Sequence, residues 1–384
     1  MFMEHDTILV RYGEIFLKSE PVLRMWEKFL IRNIKSALKK QSIESKIRRK
    51  RGRIFIFTKD MQKACTMLKK IFGIVSFSPC FYLETSSLKK IKTFCEQNYD
   101  KWIKKNETFA IRPRRVGKHK YTSQKLAEEI GKIINRKVNL KKPDNEIFIE
   151  VRDKETFIYT EVMKGLGGLP IPASGKIISL ISGGIDSPVS SWLMMKRGCK
   201  VVFVHFHSFP LLSRASIEKT KELVGILSQY QLRSKLHLVP FSKIQAEIKT
   251  KIPAKYRIIL YRRFMLRIAE EIAKREKINA LTTGESLAQV SSQTLENLTT
   301  ISGVSKTQIL RPLIGMDKEE IINLAKSIGT YETSIKPQED CCTLFIPRHP
   351  AIRSNIGKIK ELEKKLRIER LVKKALDEME TIKI

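Results

Sequence analysis

The chain has 384 residues, enough for two or three domains. Hydrophobic residues make up 42% and charged residues 30%, a balance typical of a soluble globular protein. No run of about 18 apolar residues is available to span a bilayer. Lysine and arginine number 74 against 40 acids, a formal net charge of +34. That excess attracts polyanions, because each phosphate contact releases condensed counterions. A lysine-rich genome would also raise the total, but it accounts less well for local clusters. The stretch from Met1 to Lys18 lacks the basic, apolar and small-residue pattern of a secretion signal, so a cytoplasmic location is expected. The cysteines are Cys65, Cys80, Cys95, Cys199, Cys341 and Cys342. None forms a C-x-x-C pair, which excludes a zinc knuckle or a thioredoxin-type motif.

The first elements read as a strand at 7–12, a helix at 21–39 and two strands at 44–49 and 53–57 joined through Gly52. A small α+β unit therefore closes near Thr58. A second unit follows, with helices at 61–71, 87–103 and 121–134. Its strands fall at 108–112, 147–151 and 156–162, the last two turning at Arg152-Asp153-Lys154. The glycine-rich string Gly165-Leu166-Gly167-Gly168 reads as a linker or hairpin tip, because no helix follows it to complete a nucleotide loop. From Lys176 the pattern changes to continuous apolar strands at 176–181, 201–207, 236–241, 280–283 and 309–313, alternating with helices. Such alternation predicts a doubly wound parallel sheet, whose ligands bind beyond the carboxyl ends of the strands.

One string stands at such a strand end: Ser182-Gly183-Gly184-Ile185-Asp186-Ser187, with Pro188 opening a helix. Glycines let the backbone approach a phosphate, and a helix start offers unpaired N–H groups and a positive dipole end. The two serine hydroxyls add donors. Asp186 repels phosphate unless it orients the loop or helps to hold a metal. The alternative is an ordinary capped strand-to-helix turn. No G-K-[ST] is present, so this is not the Walker loop. Two basic clusters lie upstream. Lys46, Arg48, Arg49, Lys50, Arg51 and Arg53 crowd one hairpin. Arg112, Arg114, Arg115, Lys118, His119 and Lys120 follow a strand. Each alone is compatible with a solvated face. Two of them beside a phosphate-activating domain favour structured RNA, read through backbone and shape.

The S-G-G-x-D-S string resembles the PP-loop of ATP pyrophosphatases, which adenylylate a substrate oxygen, release pyrophosphate and let a nucleophile displace AMP. Other strings narrow the resemblance: Val10-Arg11-Tyr12-Gly13-Glu14, His205-Phe206, Arg262-Arg263, Thr283-Gly284-Glu285-Ser286, Ser291-Ser292-Gln293, Arg311-Pro312-Leu313, Asp317-Lys318 and Glu339-Asp340-Cys341-Cys342. Together they are similar to the tRNA 4-thiouridine synthetases, or tRNA sulfurtransferases, over nearly the whole chain. The resemblance implies an N-terminal ferredoxin-like α+β domain at 1–58, a THUMP α+β domain at 59–165 and an α/β PP-loop domain at 166–384.

The same resemblance implies site residues and partners. Leu180, Ile181, Ser182, Gly183, Gly184, Ser187, His205, Phe206, Arg262, Gly284 and Gln293 would bind ATP, with adenine stacking near His205-Phe206. Asp186, Lys318 and Cys341 would serve thiolation. Arg112, Arg114, Arg115, Lys118 and Lys120 would bind tRNA, with the uridine at position 8 as target. Mg²⁺ would accompany ATP; no dedicated protein metal site is implied. Lys318 at a helix start is disfavoured by the dipole, which points to an anionic neighbour such as a phosphate. The chain resembles the short family form that lacks a rhodanese domain, so sulfur would come from a cysteine desulfurase or another persulfide donor. A sulfur-carrier protein of thiamine thiazole synthesis would be a secondary partner, and a homodimer is implied. Two other readings remain open on the residues alone. One is a PP-loop ligase using ammonia or an amino acid. The other is a tRNA-binding module with a degenerate nucleotide site.

Overall fold

A computed structural model describes residues 5–50, 52–337 and 350–384. The chain forms two compact units, Met1–Pro170 and Ile171–Ile384. The first contains β1 (Thr7–Tyr12), α1 (Glu20–Lys40), β2 (Lys46–Lys50), β3 (Arg53–Phe57), α2 (Met61–Leu68), β4 (Ile74–Leu83), α3 (Leu88–Trp102), β5 (Phe109–Val116), α4 (Ser123–Gly131), β6 (Asn145–Arg152), β7 (Glu155–Tyr159) and β8 (Met163–Lys164). Its strands run β2-β3-β1-β4-β7-β6-β5, with β8 pairing off β4.

Strand β4 joins the two halves of this sheet, pairing antiparallel with β1 through Thr7↔Cys80 and with β7 through Tyr82↔Phe157. The sequence pattern does not mark residues 74–83 as a strand. Pro79 interrupts the run, and the partners that make it a strand come from distant parts of the chain. Two alternating faces follow from the register. Ile111, Ile147, Ile149, Val151 and Ile158 meet Ile91, Phe94, Leu126 and Ile130 of α3 and α4 in one apolar core. The opposite face carries Leu9, Phe55, Cys80, Phe157 and Tyr159, buried as well. Phe55 on β3 stacks on Phe157 of β7 with ring centroids 4.2 Å apart. Two strands stand between β3 and β7 in the sheet order, so a flat sheet would hold them about 14 Å apart. The sheet is therefore curled, and this face closes on itself.

The string Gly165–Gly168 is docked along the start of β4 rather than hanging free. Gly165 N donates to Val75 O at 2.9 Å, and Gly167 N to Ile74 O at 2.7 Å. A side chain on Gly165 would collide with the Ile74 carbonyl.

The second unit contains β9 (Lys176–Leu180), α5 (Asp186–Lys196), β10 (Lys200–His207), α6 (Ala215–Gln231), β11 (Lys235–Pro240), α7 (Ser242–Lys251), α8 (Arg257–Glu276), β12 (Ala280–Thr282), α9 (Leu295–Ser302), β13 (Gln308–Leu310), α10 (Lys318–Ile328), α11 (Tyr331–Ser334), α12 (Ile356–Glu363), α13 (Ile368–Asp377) and β14 (Glu380–Lys383). The strand order is β13-β12-β9-β10-β11-β14. All neighbours are parallel except β14, which runs antiparallel along β11. Short, charged β14 is not legible as a strand from its residues. The sheet grows in one direction from β9 to β10 and β11, then in the other from β9 to β12 and β13. The order in which strands are added thus reverses between the parallel neighbours β9 and β12, which makes that point the crevice where open α/β sheets bind ligands. No described helix is long and apolar enough to cross a membrane.

Candidate active site at the carboxyl edge of the second sheet

The Ser182–Ser187 string leaves β9 at this switch point and enters α5. Ser182 N donates to Ser187 Oγ at 2.9 Å, the two serine hydroxyl oxygens lie 3.2 Å apart, and Gly184 N donates to Ser182 Oγ at 3.3 Å. The loop is thus held by its own serines. Neither Gly183 nor Gly184 has a positive φ, so backbone conformation does not demand them. The first turn of α5 has no side-chain cap, which leaves its N–H groups to the crevice. Gly284, after β12, is required sterically: a Cβ there would sit 2.7 Å from Ser187 N and 2.8 Å from the Asp186 carbonyl carbon.

Around the loop lies a cavity of about 210 Å³. Leu180, Ile181, Ser182, Gly184, Asp186 and Ser187 line it, as do His205, Phe206, Arg262, Gly284 and Gln293, together with Met265, Leu266, Thr283, Glu285 and Ile301. Gly183 belongs to the loop but not to the lining, and Lys318 stands outside it. His205 is 1% exposed, with Nδ1 3.0 Å from Ile181 O. Phe206 packs edge-on against Phe241 and is 5% exposed, so it offers the cavity only part of its ring. Gln293 is also buried, and its Oε1 has no hydrogen-bond partner among the described residues.

The charged wall of the cavity centres on Glu285, which the sequence alone does not single out. Its Oε1 accepts from Arg262 Nη1 at 2.9 Å; its Oε2 accepts from Arg311 Nε at 2.6 Å and from the Thr283 hydroxyl at 2.9 Å. Burial pushes this carboxyl up, but Arg262 and Arg311 outweigh burial and hold it below the usual carboxylate range. One acid between two guanidiniums leaves a surplus positive charge beside the cavity. The available signal is an acid just past a strand end; its two arginines lie 23 and 26 residues away. The neighbouring Arg263 has a different task. It is 1% exposed and makes two hydrogen bonds to Glu363, at 2.8 and 2.7 Å.

Asp186 and Lys318 meet at the mouth. Lys318 Nζ donates to Asp186 Oδ1 at 2.6 Å, and Gln289 Nε2 donates to Oδ2 at 2.9 Å. The anionic neighbour expected for Lys318 is therefore a carboxylate in this structure. Asp317 caps α10 in a reciprocal capping box with Glu320, which fixes where Lys318 starts. Cys341, with Glu339, Asp340 and Cys342, lies outside the described residues. The described cysteines are Cys65, Cys80, Cys95 and Cys199, all buried. Burial pushes their thiols up, to about 11 at Cys65 and about 12 at Cys95. None is poised as a thiolate. Among the described residues no group of three or more His, Cys, Asp or Glu could hold a metal ion.

In the first unit the two basic segments differ. Arg48 pairs with Glu155 at 2.9 Å, Arg49 with Glu27 at 3.2 Å, Lys50 with Glu155 at 2.6 Å and Arg53 with Glu150 at 3.3 Å. β5 runs on to Val116, past the strand end expected at 112, so Arg112, Arg114 and Arg115 lie within it rather than after it. Arg112 Nε meets Glu146 at 2.6 Å and its Nη2 donates to Leu140 O. Arg115 lies over the Tyr121 ring and donates to Ser123 Oγ. Arg114, Lys118 and Lys120 are exposed and have no ion-pair partner among the described residues.

Comparison with known proteins agrees with this layout. Residues 172–368 match the family model described as Thiamine biosynthesis protein (ThiI). Residues 7–78 match the ThiI ferredoxin-like domain, and 86–161 the THUMP domain. A probable tRNA sulfurtransferase of Caldanaerobacter subterraneus subsp. tengcongensis is 40% identical, covering 96% of this chain and 97% of its own length. Another, of Thermoanaerobacter pseudethanolicus, is 41% identical with the same coverage of 96% and 97%. A crystal structure of a 4-thiouridine synthetase–RNA complex with bound ATP is similar at a TM-score of 0.91 and 36% identity, covering 99% of this chain and 100% of that one. The doubly wound unit with its serine-glycine loop, preceded by ferredoxin-like and THUMP elements, places the chain in the tRNA sulfurtransferase family.

Proposed function

We propose that the chain adenylylates O4 of the uridine at position 8 of tRNA with ATP, then replaces that oxygen with persulfide sulfur to give 4-thiouridine. Family membership makes it an enzyme that transfers sulfur to tRNA. The observation that carries the ATP-dependent reading is the cavity at the switch point. It gathers the Ser182–Ser187 loop, the uncapped start of α5, and the Arg262–Glu285–Arg311 clamp, with Asp186 and Lys318 at its mouth. The relative crystallised with RNA and ATP supports the same reading.

In this scheme uracil O4 attacks the α-phosphate. The bond from the α-phosphorus to the bridging oxygen breaks, N3 loses its proton and pyrophosphate leaves. The α5 N–H groups and the positive clamp stabilise the charge that gathers on the phosphates. Lys318 supplies a cation at the mouth for the departing pyrophosphate. Magnesium commonly binds through one or two carboxylates plus substrate phosphates, which a single carboxylate at the mouth fits. Asp186 is the residue that would hold it, and the ion would neutralise phosphate charge. The terminal sulfur of a persulfide on Cys341 then attacks C4, and the C4–O4 bond breaks as AMP leaves with the original oxygen. A second thiolate attacks the Cys341 sulfur and releases 4-thiouridine, leaving a disulfide that a reducing thiol reopens. With the four described cysteines buried, and a disulfide between adjacent residues strained, an external thiol fits this second role.

Further elements of the proposal are the three-domain division at 1–58, 59–165 and 166–384, tRNA contact through Arg112, Arg114, Arg115, Lys118 and Lys120, and a cysteine desulfurase or other persulfide donor. A homodimer and secondary sulfur delivery to a thiamine sulfur-carrier protein belong to it as well; the description of the family model supports the latter. The test incubates protein, unmodified tRNA, ATP and a persulfide donor, and measures nucleosides by mass. 4-Thiouridine is expected from the wild type and none from Asp186→Ala, with tRNA affinity retained. Pyrophosphate release without 4-thiouridine in the wild type would favour a ligase instead.

A further inference from the structure

We infer that Lys219 and Glu222 on α6 are positioning residues for the sulfur-transfer half of the reaction. This rests on the proposed function, and it concerns groups that line no part of the cavity. Lys219 is 8% exposed, and its Nζ donates to Ser334 O at 2.8 Å and to Lys336 O at 2.6 Å. Burying an ammonium is costly unless its donors are satisfied. An ordinary surface loop needs no such anchor. Glu222, one helical turn further on, accepts from the Thr333 hydroxyl at 2.7 Å and takes Lys336 Nζ at 2.8 Å on both oxygens. From the other side the Ser334 hydroxyl donates to Gly184 O at 3.3 Å.

Residues 333–336 are thus fastened to α6 and to the serine-glycine loop together. α6 also reaches the cavity wall, where Thr220 Oγ1 lies 3.4 Å from His205 Nδ1. In the sequence this segment runs through Pro337 to Glu339-Asp340-Cys341-Cys342. A chain that must bring a sulfur to the base needs a fixed point of departure, because reactivity falls steeply when the reacting atoms are misplaced. The adenylylating groups sit on β9, α5, α8, α10 and the segment after β12. The fastened segment reaches them through one long hydrogen bond, Ser334 Oγ to Gly184 O at 3.3 Å, so loosening it weighs less on that step.

The experiment uses the full-length protein with an unmodified tRNA transcript, ATP and a low-molecular-weight persulfide. In single turnover it records tRNA-dependent pyrophosphate release and 4-thiouridine formation in parallel. Lys219→Met is expected to slow 4-thiouridine formation by about tenfold while pyrophosphate release stays within about twofold, because only one of the two steps loses its alignment. Glu222→Gln lies on an exposed pair and leaves folding intact. It is expected to show the same selective loss at about two- to fivefold, and it carries the test if Lys219→Met fails to fold. Pyrophosphate release falling in step with 4-thiouridine in Glu222→Gln, or no loss of 4-thiouridine in either variant, overturns the inference. A wild type that releases pyrophosphate yet makes no 4-thiouridine overturns the proposed function instead.

Discussion

In the β2–β3 hairpin, Arg48, Arg49, Lys50 and Arg53 each face a carboxylate of the same unit. At the end of β5 and just beyond it, Arg114, Lys118 and Lys120 face solvent. The two segments are alike in composition and differ in what surrounds them. The hairpin lies where the curled sheet brings β2 and β3 against β6 and β7, so Arg48, Lys50 and Arg53 neutralise Glu155 and Glu150 at the closing seam, while Arg49 pairs with Glu27 of α1. Arg48 adds packing there, its guanidinium 4.4 Å from the Phe57 ring centroid and 5.2 Å from that of Tyr82. A count of basic residues cannot separate a paired seam from cations left facing solvent; the location of the acids can.

The largest effect is expected from breaking the seam. Glu150 is 1% exposed and receives Arg53 and Arg152. Glu150→Ala removes the buried carboxylate that Arg53 and Arg152 share and should cost about 3 kcal/mol of stability. Thermal melting checks this, and an unchanged midpoint would show that the seam is dispensable. Next in size, Arg114→Ala with Lys118→Ala and Lys120→Ala should leave melting unchanged and weaken tRNA binding. The slope of log K against log salt should fall by about one for each phosphate that the variant no longer neutralises. If melting shifts and the slope does not, the assignments of the two segments are reversed.

Arg112 sharpens the comparison, because it pairs with Glu146 and also holds the Leu140 carbonyl. Both pair members are partly exposed, at 36% and 39%. Arg112→Ala should cost at most about 1 kcal/mol and reduce tRNA affinity less than the triple change does, as measured by melting and by binding at two salt concentrations. The smallest effect concerns acid. Burial raises the Glu155 carboxyl, but Lys50, Tyr82 and Arg48 outweigh burial and hold it below its usual value of 4.5. A depressed folded pKa means that the stabilisation is complete above 4.5 and fades as pH falls through the lower folded value. The melting difference between wild type and Glu155→Gln should therefore be constant from pH 7 to about 5 and shrink below about 4.5. A difference that grows on acidification would contradict the direction of the shift.

Much of the second unit is legible in the sequence because its signals are local. The apolar run before Ser182, the serine-glycine string and Pro188 lie within a dozen residues and predict strand, loop and helix together. What escapes is built from distant partners. Glu285 looks like any acid after a strand until Arg262 and Arg311 close on it. The Asp186–Lys318 pair spans 132 residues, and dipole reasoning at Lys318 can say only that an anion stands nearby. In the first unit β4 is invisible because no turn pairs it with its neighbour in sequence. Its partners β1 and β7 come from opposite ends of the unit, and without it the curl cannot be foreseen. Phe206 reads from sequence only as a residue near which adenine would stack; its edge-on packing against Phe241 is likewise set by the fold.

Gly284 carries a mechanical consequence. With no side chain between them, the backbone after β12 and the first turn of α5 touch main chain to main chain. Such an abutment has nothing to compress and no rotamer to change, so it transmits displacement as a rigid strut does. Whatever enters the serine-glycine loop and moves Asp186 or Ser187 by a few tenths of an ångström must push Gly284 as well, and with it Glu285 in the very next peptide. The arginines on that carboxylate are carried along. Loading of the crevice would thus be felt on both sides of the switch point at once, through one residue whose contribution is the lack of a Cβ.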